Sequence, residues 1–265
     1  MTATSIATIN RMPEAEKRTI YLRIVPRELR ERFAIPETFV DAEGRPLAEV
    51  RCQAGSTDVV VALRHRADAV DPLLYAHVTD TMNGQMHVLL YIINDPEAPR
   101  FDVDRMPDGR PTEFGVFRRN LAAEEAAMRA GLAPGQVRRG LRVLRDSIGA
   151  FDTFVGSMGH DVYFVEPLFY HNAVVFEGYG FAYQQGRRLM EGIHDGFQEG
   201  GPLRASLDGS TAFRDPSAAG TIRGRSWAIH DGVLGYPFNQ VTMYKHVGRD
   251  AQLSTFPNAV WQACA

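Results

Sequence analysis

Through the first hundred positions, apolar residues alternate with polar ones or cluster in short β-forming runs; beyond them the rhythm becomes helical. Residues 19–25, 59–63, 73–79 and 86–93 have the β-branched, aromatic and aliphatic content of strands. The last two runs are separated by a turn containing Asn83-Gly84, a dipeptide that tolerates positive φ at both central positions of a tight hairpin turn. This half therefore predicts a mostly antiparallel sheet. Residues 1–16 are small, polar and charged, and predict a flexible arm.

Near Pro107 a polar Pro/Gly stretch leads into an Ala/Glu-rich helix over residues 119–130. After Pro134-Gly135, the apolar residues Val137, Leu141, Leu144, Ile148, Phe151 and Val155 recur at steps of four and three, the period of an amphipathic helix of about five turns. Gly159 is a stop signal, residues 162–165 read as a buried strand closed by Pro167, and a short helix follows over 171–177. Residues 181–197 predict another helix, with Gly186, Met190, Ile193 and Phe197 on one face, broken by Gly200-Gly201-Pro202. Residues 200–225 have no period and predict a long loop, ordered as a lid or binding segment. The chain returns through an apolar run at 227–229, a turn at Asp231-Gly232, and a last strand over 241–247.

The pattern as a whole predicts an α/β (α+β) fold, with a helix-rich C-terminal half after the antiparallel sheet. Residues 17–265 are expected to form one α/β domain, with a subdomain change near 107–118. A chain of 265 residues, 45% hydrophobic and 23% charged, can bury a substantial core. Its formal net charge of -3 gives no electrostatic footprint for nucleic acid or an anionic membrane, so a small-molecule substrate is the expected partner. Cys52 and Cys264 lie far apart with no metal spacing, which suits a reducing, cytoplasmic setting. No apolar run approaches the roughly 18 residues of a membrane helix.

The first candidate chemistry lies at the start of the long helix, where Arg138, Arg139, Arg142 and Arg145 gather around Gly140. Cations there oppose the helix dipole and ask for an anion, which guanidinium groups and free N–H groups can hold together. A solvated basic face paired with Glu124, Glu125 or Asp146 is the other reading of the same residues. Arg138-Arg139-Gly140, the amphipathic helix, the strand ending at Pro167 and the helix closing in Phe176-Glu177-Gly178-Tyr179-Gly180-Phe181 resemble the C-terminal half of GNAT-type N-acetyltransferases. In that family an Arg/Gln-Gly-x-Gly loop at a helix start holds the pyrophosphate of acetyl-CoA. The resemblance implies an acyl-CoA-dependent N-acyltransferase acting on a small-molecule amine, with acetyl-CoA or another acyl-CoA as cofactor on Arg138, Arg139 and Gly140. One glycine stands where the family's loop has two or three, and Phe176 replaces a tyrosine that often serves as general acid.

The second candidate is a polar cluster in the C-terminal half, where five of the eight histidines fall after residue 159. His171 and Glu177 belong to an aromatic-rich segment, and His230-Asp231 follows an apolar run, so all four are candidates for general acid–base work against buried surface. Imidazole and carboxylate together also suit a divalent metal, in which case His160, Glu166, His171 and His230 would be the ligands of a metal-dependent enzyme. The third candidate is the loop carrying Arg204, Asp208, Ser210, Arg214, Arg223 and Arg225, whose guanidinium groups can clamp a carboxylate or phosphate. It gives a further reading, a non-catalytic protein that binds an anionic small molecule.

Overall fold

Seven strands, β1 (Ala48–Arg51), β2 (Asp58–Leu63), β3 (Leu74–Asp80), β4 (Met86–Ile93), β5 (Val162–Val165), β6 (Ala182–Gln185) and β7 (Thr242–His246), form a mixed sheet in the order β1-β2-β3-β4-β5-β7-β6. With the helices described below, this is an α/β fold. The computed structural model describes residues 4–115 and 118–261; Cys264 lies outside them. The chain divides into two compact units. The first comprises Met1–Ala98, Gly140–Glu166 and Tyr244–Asp250, and the second Pro99–Arg139, Pro167–Met243 and Ala251–Ala265.

In the first unit β1 to β4 form an antiparallel meander, as the alternation of apolar residues predicts. Val61 lies opposite Ala76, and Val59, Val61, Leu63, Leu74, Ala76 and Val78 are all buried. Period-two burial sets this register, because a slip of one residue would expose the whole set. A bulge interrupts the β3–β4 ladder between His77 and Val78. In the connecting turn Gly84 alone takes positive φ, so the turn is not the doubly left-handed type that Asn83-Gly84 suggested. The buried face of α5 (Leu144–Ser157), carrying Ser147, Phe151, Phe154 and Val155, has the predicted helical period.

Two expectations for the N-terminal part are corrected. Residues 6–9 and 14–21 form α1 (Ile6–Ile9) and α2 (Glu14–Tyr21) where a flexible arm was expected, and Ile6 and Ile9 are fully buried. Asp80, at the end of β3, accepts from the N–H groups of Ile6 and Ala7, and Asn10 is tied to Tyr21, Ser56 and Asp58, so distant parts of the chain hold this segment. Residues 19–25 are helical rather than extended: α2 continues into a 3-10 turn, Leu22–Ile24, and α3 (Arg27–Arg32) follows Pro26. Lys17, Tyr21 and Ile24 fall on a helical stripe, and its burial overrides the β preference of Thr19, Ile20 and Val25.

The second unit holds α4 (Leu121–Arg129), α6 (Tyr170–Glu177), α7 (Arg187–Gly196), α8 (Pro202–Ala205) and α9 (Ile222–His230). Residues 181–197 do not form one helix. Gly186 sits at φ 95, and a Cβ there would lie 2.8 Å from the carbonyl oxygen of Gln240, so the chain turns at this glycine and separates β6 from α7. Residues 227–229 are not a strand end. They belong to α9, capped by Thr221, whose hydroxyl accepts from the Gly224 N–H. Much of the predicted 200–225 loop is consumed by α8, a 3-10 segment Pro216–Gly220 and the start of α9.

Candidate functional site

Toward the end of β4 the first unit's two parallel strands part. β4 and β5 run parallel and pair only over Met86–Tyr163, His87–Phe164 and Val88–Val165. β4 then continues from Leu89 to Ile93 with no strand partner on its β5 side among the described residues. Open α/β sheets bind ligands at such carboxyl ends, where neighbouring strands part. Tyr91 lies on this stretch; its hydroxyl is buried beside Ser147, and burial pushes its pKa well above the ordinary value.

The loop entering α5 meets the same place. Gly140 packs against the carbonyl oxygen of Ile93, 3.5 Å from where a Cβ would stand. The helix begins at Leu144 rather than Val137, because Arg142 takes φ 61 and breaks any continuous helical path. Arg138 and Arg139 are therefore not in its first turn; they precede it in the chain, at the end of a segment of the second unit. The N-cap residue is Val143, whose side chain gives this 14-residue helix no capping hydrogen bond. Arg142 is exposed, and Arg145 stands in the first turn. In the Arg-Gly-x-Gly pattern carried by Arg139-Gly140-Leu141, the second glycine position is Arg142, and its backbone has the left-handed conformation that glycine adopts most readily.

The predicted polar cluster lies largely in the second unit, where its members have different fates. His230 Nε2 is 3.1 Å from Glu124 Oε1, and Arg119 grips the other carboxylate oxygen through two nitrogens at 2.9 and 2.6 Å. Arg119 also reaches Asp231 at 2.9 Å, and Asp231 accepts from Arg214 and Thr211, both at 2.8 Å. The result is a chain of alternating charge, Glu124–Arg119–Asp231–Arg214, with His230 at its buried end. Burial pushes the Glu124 and Asp231 carboxyls up, but the donors around each outweigh it and hold both below the usual carboxylate range. Gly115, at φ 82, leaves room for His230: a Cβ there would stand 2.6 Å from the ring.

His171 is locked rather than poised. Asn172 accepts from the Phe169 N–H through Oδ1 at 3.1 Å, which turns its Nδ2 donor toward His171 Nε2 at 3.2 Å. Nε2 must then accept, the ring proton sits on Nδ1, and Nδ1 donates to Ser226 Oγ at 2.9 Å. This is the wrong tautomer for withdrawing a proton from Ser226, so the pair is not a nucleophile and base. Burial drives the His171 pKa down to about 3, with His230 adding to the effect, and the ring stays neutral. Glu177 is equally committed, accepting from Tyr183, the Thr255 hydroxyl and the Thr255 N–H. It fastens the end of α6 to the C-terminal segment.

The arginines of the third candidate are also spent inside the second unit. Arg214 pairs with Asp231, Arg223 donates to Met128 O at 2.6 Å, and Arg225 donates to Ala219 O at 2.6 Å while lying 3.7 Å from the Phe256 ring centroid. Arg204 is exposed on α8. Among the described residues no group of three or more His, Cys, Asp or Glu side chains is arranged to hold a metal ion, so His160, Glu166, His171 and His230 are not assembled as a ligand set. In the first unit, His160 instead meets Thr4 O at 3.2 Å.

The sequence reading missed Glu124 as the partner of His230, Arg119 as its link to Asp231, and Tyr91. Glu124 sits on the inward face of α4, four residues from a buried Met128–Arg223 contact and three from the buried Ala127, a spacing visible in the sequence. Compared with known proteins, the chain matches no family model, no curated protein and no solved structure. Among the described residues no helix is long and apolar enough to cross a membrane.

Proposed function

We propose that this chain is an acyl-CoA-dependent transferase acting on a small-molecule amine. The observation that carries the reading is the uncapped start of α5, preceded by Arg142 at φ 61 and set against the unpaired end of β4. The positive dipole end of the helix suits the cofactor's diphosphate, and Arg142 and Arg145 stand beside it. The open edge of β4 suits the amide-bearing arm of the same cofactor, which can lie along a strand and share its hydrogen bonds. The order α5, β5, α6 is also the order of elements on which the family resemblance rests.

In the reaction the acceptor nitrogen attacks the thioester carbonyl, a C–N bond forms as the C–S bond breaks, the amine proton leaves to a base, and the thiolate departs as free CoA. The test is thermal unfolding with and without acetyl-CoA. A ligand at 100 times its Kd stabilises the native state by about 2.7 kcal/mol, which raises Tm by several degrees in a chain of this size. The rise is expected to vanish in Arg142→Glu, and thiol release is expected when an amine panel is added. Absence of any rise refutes the cofactor; a rise without thiol release favours the non-catalytic binding reading.

A further inference from the structure

An opening in the first unit lies away from the sheet, between the N-terminal helices and the outer side of α5. It is a cavity of about 590 Å³ walled by α2, the 3-10 turn, α3, the residues after it, and Ala150 and Thr153 of α5. Its floor is apolar: Leu22, Val25 and Phe39 are all buried. Its rim carries the guanidinium groups of Arg18, Arg23, Arg27 and Arg30, against the single carboxylate of Glu37.

These cations are poorly neutralised. Arg23 is exposed and has no acidic partner among the described residues, Arg18 donates to the carbonyl of Ala48, and Arg30 stands 3.8 Å from a Glu37 side chain that is 94% exposed. Only Arg27 has a close carboxylate, Glu31, and that pair is itself solvent-facing. Several like charges around a concave wall focus a positive potential that an anion relieves. A second, independent feature marks the same spot. Phe39 takes φ 55, a conformation that a bulky side chain adopts only when its surroundings impose it. The Phe39 N–H donates to Pro36 O and its carbonyl accepts from Leu47, which fixes the strained backbone, and Arg30 lies over the ring at 5.8 Å. Strain of this kind clusters at ligand clamps.

We propose that this cavity binds a small amphipathic anion, an aromatic or aliphatic body bearing a carboxylate or phosphate, with the body on Leu22, Val25 and Phe39 and the charge between Arg23 and Arg30. The site is separate from the start of α5 and does not depend on the acyl-CoA reading.

Calorimetric titration of the full chain with phenyl phosphate, phenylacetate, inorganic phosphate and benzyl alcohol tests it. Binding of either phenyl anion supports the site, and their ratio says whether phosphate or carboxylate is preferred; inorganic phosphate and benzyl alcohol are expected at least tenfold weaker. Arg23→Glu, on an exposed side chain, is expected to weaken the phenyl anions tenfold or more at unchanged Tm, and Thr38→Trp to abolish binding by filling the space. Failure of both phenyl anions to bind, affinity in Arg23→Glu equal to that of the parent, or inorganic phosphate binding as tightly as phenyl phosphate would each overturn the proposal.

Discussion

Replacing His171 by Asn should flatten the acid side of the stability profile, and the size of the effect follows from the lock around the ring. The imidazole is buried and neutral, with its proton on Nδ1 and Nε2 filled by Asn172, so protonation would place an extra N–H against a donor. Its folded pKa is held near 3 against an ordinary value of 6.5. The unfolded chain therefore binds a proton between those values that the folded chain refuses. A depressed folded pKa means stability that is fully present above about pH 6.5 and is lost as pH falls toward 3, at about 1.4 kcal/mol per pH unit. Between pH 6.5 and 5, above the main titration of carboxylates, His171 alone should remove about 2 kcal/mol. Urea unfolding at four pH values, followed by the fluorescence of the buried Trp227, measures this in the parent and in His171→Asn. Asn keeps a short amide but cannot titrate, and the other histidines cancel in the comparison. The parent curve should fall more steeply by about that amount. Parallel curves would show that the folded ring accepts its proton freely, and the tautomer argument would fail with it.

Other expectations bear on the charge chain and on the backbone. Glu124→Gln leaves the partly buried Arg119 and His230 without the buried anion they share and should lower stability by about 2 kcal/mol, read as a fall in Tm by calorimetry; an unchanged Tm would mean the network is dispensable. Gly186→Ala should cost at least about 2 kcal/mol, since it combines left-handed backbone with a contact 2.8 Å from Gln240 O, whereas Gly192→Ala, with open space in α7, should stabilise by up to about 1 kcal/mol. Equal urea midpoints for the two alanine variants would refute the steric account of the turn.

Where one face of an element is buried, the sequence showed the element well. β2, β3 and β4 follow from alternation, α5 from the recurrence of Leu144, Ile148, Phe151 and Val155, and β5 from a short apolar run bounded by Gly159 and Pro167. What was illegible depended on partners far along the chain. Ile6 and Ile9 look like part of a polar arm until Asp80 and Asn10 are seen fastening them. The helix at 137–155 looks unbroken because an apolar period carries no sign that Arg142 takes positive φ. The site was half legible for the same reason. His230 and Asp231 stood out from their neighbours, yet Glu124 lies 106 positions from His230, and no local pattern joins them. Similarly, Arg138 and Arg139 fall outside the first turn of α5, because local spacing could not locate the first helical N–H.

The interleaving of the two units has a bearing on how the protein can be made and cut. Each is assembled from three stretches, and the first requires Tyr244–Asp250, a ribbon emerging from the ribosome long after β5. During synthesis the meander and α5 must wait, with the outer edge of β5 bare, for roughly eighty further residues to appear, at a pace of about 5–20 residues per second. Neither unit corresponds to an uninterrupted piece of gene, so cutting the chain at 139 severs both. An unpaired strand edge left bare for that long is a template for mispairing.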